Sequence, residues 1–143
     1  MTEIVDIETA KLDFDRFVEA LNINERKLIA LKQDSASGKN PVDELIELIQ
    51  YGLVVIDSDG KLIYKLQYPI KAAGTDNIVL SEVKCVGRRI SVGEMEKNMV
   101  GKNDVEKSRK IIAYMCSINS ALVSQMDDDF VVLSTISAFF LPR

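Results

Sequence analysis

Between residues 13 and 21 the apolar side chains Phe14, Phe17, Val18 and Leu21 recur at the i, i+3, i+4, i+7 spacing that lines one face of a helix. Before them, residues 1–12 alternate acidic and aliphatic residues and read as an extended arm or an edge strand. Glu25 to Gln33 is a second short helical stretch, and Asp34 to Lys39 is a polar loop without periodicity. The third helix is marked at both ends. Asn40 suits an N-cap, Pro41 fits the first helical position, where no N–H is needed, and Gly52 suits the exit. Between them Val42, Leu45, Ile46 and Ile49 form the stripe to be buried.

The period then changes to that of strands. Leu53–Ile56 and Lys61–Leu66 flank Asp57-Ser58-Asp59-Gly60, which predicts a hairpin over residues 53–66 turning at Asp59-Gly60. Pro69 has no N–H for a ladder and is expected to end the second strand or hold it at an edge. Residues 71–77 read as a loop. Ile78 to Val86 reads as a third strand, with Ile78, Leu80, Val83 and Cys85 on packed faces.

From Ser91 onward the pattern is helical. Ser91 and Glu94 have the capping-box spacing, in which each side chain satisfies a backbone N–H of the other's residue. Gly101-Lys102-Asn103 interrupts, Asp104 caps a helix carrying Val105, Ile111, Ile112 and Met115, and residues 120–126 form a short turn or helix. The last helix, Asp127 to Leu141, puts Phe130, Leu133, Ile136 and Phe140 on one stripe. Asp127, Asp128 and Asp129 are expected to complement the positive end of its dipole. Helices, a small antiparallel sheet and helices again make the fold class α+β.

Composition narrows the chemistry. The chain of 143 residues has no histidine, which excludes Ser-His-Asp and Cys-His nucleophiles. Its two cysteines, Cys85 and Cys116, sit in apolar strings and are expected as buried reduced thiols. No glycine-rich phosphate loop and no Gly-x-Ser-x-Gly elbow is present, and the aspartate run lacks the further ligands of a calcium loop. No enzymatic activity, metal or cofactor is therefore expected. The N-terminus lacks the features of a signal peptide, and no apolar run approaches the ~18 residues of a membrane span. The expectation is a cytoplasmic protein that does not meet a membrane.

The charge is divided. Residues 1–60 hold six basic and thirteen acidic side chains, a net −7, whereas residues 61–143 carry a net +3. We read residues 1–52 as an acidic helical extension or module and residues 53–143 as a hairpin-plus-helices domain. An acidic half opposes nucleic-acid binding, because phosphate attraction supplies most non-specific affinity. Residues 40–66 also read like the end of a winged helix, but the would-be recognition helix carries Asp43, Glu44 and Glu47 and no basic residue. That shape would serve protein contact rather than DNA. Arg88 and Arg89, after the third strand, are candidates for gripping an anionic group.

Residues 62–143 carry a specific set of signals. Leu66-Gln67-Tyr68-Pro69-Ile70 is followed by a glycine-containing loop and the strand Asn77–Val83. Gly87-Arg88-Arg89-Ile90-Ser91-Val92-Gly93-Glu94-Met95 opens the helical part. Ile111–Cys116, Ile118–Val123, Gln125–Leu133 and Phe139-Phe140-Leu141 complete it. This arrangement resembles the small tail assembly chaperones of contractile-tailed phages of the Mu-like and P2-like type, although Ile90 stands where that pattern often has proline. The resemblance implies a non-enzymatic protein of the bacterial host cytoplasm. It would bind the tape measure protein and prevent its aggregation during tail assembly, and it could form a homo-oligomer. A structural tail component retained in the particle is the alternative.

The last helix bears on where such a partner would sit. Val132 and Phe139 fall outside its main stripe, and Leu141 lies beyond its end. A helix apolar on two sides is either fully buried or used on the second side. The expected partner-binding residues are Phe139 and Leu141, with Arg88 and Arg89.

Overall fold

The first N–H groups of a helix have no partner within it, and here short polar side chains accept from them. The computed structural model describes residues 3–34 and 38–142. Helix α1 (Ile7–Ala20) opens with the Asp6 carboxylate accepting from the Thr9 N–H at 2.8 Å. Asn24 caps α2 (Glu25–Gln33) and Asn40 caps α3 (Pro41–Gln50) in the same way. Ser91 and Glu94 form the reciprocal capping box of α4 (Val92–Asn98). Asn103 caps α5 (Asp104–Cys116), and Asn119 caps the short α6 (Ser120–Val123). Helix α7 (Asp128–Ser137) is the exception, because Asp127 makes no capping bond.

The arm expected over residues 1–12 is corrected by the Asp6 cap, which starts α1 at Ile7. Ahead of it Ile4 and Val5 form a bend, both donating to the carbonyl of Gln50. Part of the expected polar loop, residues 35–37, lies outside the described residues.

Strands β1 (Val54–Ile56), β2 (Leu62–Lys71) and β3 (Ile78–Lys84) form one antiparallel sheet in the order β1-β2-β3. The β1–β2 hairpin is the predicted one. Its turn is held by the Asp57 carboxylate, which accepts from the N–H groups of Asp59 and Lys61. Gly60 takes φ +81°, and a Cβ there would lie 2.5 Å from the Cβ of Ala20, so the hairpin tip packs against α1. Arg16 of α1 donates to the carbonyls of Ile56 and Asp57 from the same side.

Strand β2 does not stop at Pro69. Pairing runs through Tyr64↔Val83 and Lys65↔Glu82, breaks, and resumes at Ile70↔Leu80. The surplus residues Leu66 to Pro69 lie on β2, so Pro69 occupies a bulge where no ladder bond is asked of it. Ile78, expected on a packed face, is exposed instead. It pairs with Lys71 at the far end of the hairpin, past the reach of the three-residue β1.

One continuous core joins the N-terminal helices, the inner sheet face and the C-terminal segment. Phe14 and Phe17 of α1 meet the ring of Phe139 edge-on at 5.9 and 5.7 Å, and Phe17 meets Phe140 at 5.8 Å. The core thus crosses the boundary between residues 1–52 and 53–143. Among the described residues, no helix is long and apolar enough to cross a membrane.

Candidate partner-binding site

Helix α7 fixes the surroundings of Phe139 and Leu141, and Asp129 in its first turn fixes α7. This carboxylate, 1% exposed, accepts the Tyr64 hydroxyl at 2.5 Å and the N–H groups of Gln67 and Tyr68 at 2.9 and 3.0 Å. Those N–H groups belong to the β2 bulge, where the ladder leaves them without strand partners. Asp128 and Asp129 lie in the acidic first turn as expected, and Asp129 in addition turns inward to the gap in the sheet. Burial and the adjacent carboxylate push the Tyr64 phenol well above its ordinary range.

With α7 held there, its inner side carries Leu133 and Ile136 into the core, and Phe139 follows with no exposed surface. The expectation that Phe139 receives a partner is therefore overturned. Its ring is already enclosed by Phe14 and Phe17. Leu141 is half-buried on the rim of a cleft of about 760 Å³. Arg26, Lys27 and Arg89 line that cleft with Ile90 and Phe140. The carbonyl of Phe140 accepts from the Ile90 N–H at 2.8 Å, and Lys27 donates to the carbonyl of Leu141. Arg89 and Leu141 thus share a surface, whereas Arg88 leaves it.

Arg88 turns to the opposite side of its loop. It donates to Glu94 at 2.8 Å and to the Tyr114 hydroxyl at 3.1 Å, and its guanidinium lies over the Tyr114 ring. Tyr114 also donates to Glu94, which accepts from the Ser91 N–H as well. These donors hold Glu94 down at about 2, the Tyr114 hydroxyl contributing most, then the Ser91 N–H and Arg88. The four candidates therefore form no single surface: Arg89 and Leu141 are together, Arg88 is engaged elsewhere, and Phe139 is core.

The outer side of α7 offers what Phe139 does not. Val131 is 64% exposed there. It borders a groove between the antiparallel α3 and α7, formed by two adjoining cavities of about 450 and 420 Å³. Leu48, Tyr51, Leu53 and Val132 make the apolar wall near the start of α7, and Pro41 and Ala138 continue it toward the end. Glu44 and Glu47 stand on the rim, Glu47 paired with Lys39. Sequence reasoning found a two-sided α7 but missed Val131. The signal was available: between Phe130 and Leu133, two successive valines carry apolar surface off the main stripe.

The remaining chemistry is sparse. Cys85 and Cys116 are buried and free of any disulfide. Cys85 shares a hydrogen bond with Cys116, and that bond together with burial pushes its thiol well above the ordinary range. Among the described residues, no group of three or more His, Cys, Asp or Glu side chains could hold a metal ion. No family model, curated protein or solved structure matches the chain.

Proposed function

We propose that this chain is a phage tail assembly chaperone that binds the tape measure protein in the host cytoplasm and keeps it from aggregating until the tail tube encloses it. The role is one of binding, not catalysis. A long helical chain with exposed apolar faces aggregates unless something covers them. A small protein with an open apolar groove can cover them and later yield them to the tube.

The observation that carries this reading is the α3–α7 groove, whose apolar wall is open at Val131 although the helix is anchored from its other side. The segments that carry the resemblance are consistent with it: Leu66–Ile70 spans the β2 bulge and the resumed pairing, Asn77–Val83 makes most of β3, and Gly87–Met95 leads into and opens α4. A winged-helix reading finds no such support, since Asp43, Glu44 and Glu47 are the charged residues of the helix that would face DNA.

Co-expression with a tape measure protein tests the proposal. The wild-type chain is expected to raise the soluble fraction of the tape measure protein and to co-purify with it. Val131→Asp is expected to keep its fold by circular dichroism while losing both effects. Failure of the wild-type chain to co-purify would overturn the reading. Its presence in finished, purified tails would favour the retained structural component.

A further inference from the structure

The α3–α7 groove differs in charge from the other open surfaces of the molecule. Its charged residues are Asp34, Glu44, Glu47 and one cation, Lys39, which pairs with Glu47. The exposed Asp127 and Asp128 stand one turn before Val131 and add to the same end. By contrast, among the described residues the cleft at Arg89 and Leu141 is lined by three cations, Arg26, Lys27 and Arg89, and no carboxylate. The exposed hairpin end at Tyr68 and Ile78 is of mixed charge, with Lys65 and Lys71 beside Asp76 and Glu82. Apolar surface rimmed mainly by acid therefore occurs at the groove, whereas the cleft is basic and the hairpin end mixed.

We infer that the groove takes an amphipathic helix whose apolar stripe is flanked by lysine or arginine. This rests on the reading that the groove receives a partner, and it adds which helical segments of that partner are bound. The wall runs along α3, which has ten residues and is roughly 15 Å long at 1.5 Å per residue. About three turns of a partner helix fit beside it. Leucines or similar residues at i, i+3, i+4 and i+7 would meet Leu48, Tyr51 and Val132. Basic residues on both flanks would face Glu44 and Glu47 on one rim and Asp127 and Asp128 at the start of α7 on the other. Such contacts select among apolar helices more than they strengthen binding, because they are solvent-exposed. They also bias the chaperone against acidic helices of the host.

Two synthetic peptides of about eighteen residues test this, sharing one leucine stripe and differing only in lysine or glutamate flanks. Titrated into the full-length chain at low salt, the lysine-flanked peptide is expected to bind about tenfold more tightly, and the gap should shrink as salt rises. The double variant Glu44→Lys/Glu47→Lys, checked for folding by circular dichroism, is expected to reverse the order. Equal binding of the two peptides, binding of neither, or an unchanged order in the double variant overturns the inference. Sedimentation showing a dimer that Val131→Asp dissociates would overturn it too, since a second copy would then fill the groove. These outcomes are separate from tape measure co-purification, which can succeed or fail whatever the flank preference is.

Discussion

Asp129 and Glu94 are both carboxylates in the first turn of a helix, and both accept a tyrosine hydroxyl together with backbone N–H groups. Their surroundings are opposite. The partners of Asp129 lie 61 to 65 residues away on β2, and the carboxylate itself is buried. Glu94 takes its backbone donor from Ser91, three residues earlier, and stands at the surface with Arg88. Removing a buried acceptor leaves donors unsatisfied, and no water can replace it. Removing an exposed one lets water substitute. The same chemistry thus fastens the fold in one place and only trims a helix end in the other.

The strongest test of that contrast is Asp129→Ala. It strands the Tyr64 hydroxyl and two N–H groups, and is expected to lower stability by about 3 kcal/mol in urea unfolding. A loss below about 1 kcal/mol would place Asp129 with Glu94 and end the distinction. Tyr64→Phe removes one donor of three and leaves the carboxylate its two N–H bonds, so a smaller loss of about 1–2 kcal/mol is expected.

Glu94→Gln should act more weakly and with a pH signature. The folded Glu94 titrates at about 2 against the ordinary 4.5, so folding favours its ionised form. That contribution is full above about 4.5 and is lost as the pH falls toward 2. The melting temperature of Glu94→Gln should therefore lie slightly below wild type at pH 7, and the gap should close through this window. A gap that stays constant down to pH 2 would assign the effect to packing. Smallest of all, Tyr114→Phe should leave the melting temperature nearly unchanged. It should raise the Glu94 midpoint in an NMR titration, since the Tyr114 hydroxyl is its leading donor.

Much of this architecture is written locally. The helices at Glu25–Gln33 and Pro41–Gln50 and the hairpin over 53–66 need only residues near one another in the chain. The buried stripe Val42, Leu45, Ile46, Ile49 follows from a single period. The candidate site was half legible for the same reason. That the last helix is apolar on two sides can be read from its residues, but which side faces the core cannot. Phe139 and Val131 both interrupt the main stripe, and only packing against Phe14 and Phe17 separates them.

Local spacing in the chain was enough to read the start of α3, the capping box of α4, the hairpin turn and the buried stripe of α3. A cap, a turn or a 3.6-residue period is settled by side chains a few positions apart, as at Asn40-Pro41, Ser91 and Gly60. Tertiary packing alone puts Pro69 within a strand, brings the β2 bulge to the carboxylate of Asp129 and leaves Ile78 exposed. Each of these depends on a group many residues distant. Asp129 satisfies N–H groups on β2 that the break in β2–β3 pairing leaves free. The helical period puts Asp129, unlike Asp127 and Asp128, on the face of Leu133 and Ile136, but the donors it meets there come from a bulge more than sixty residues away.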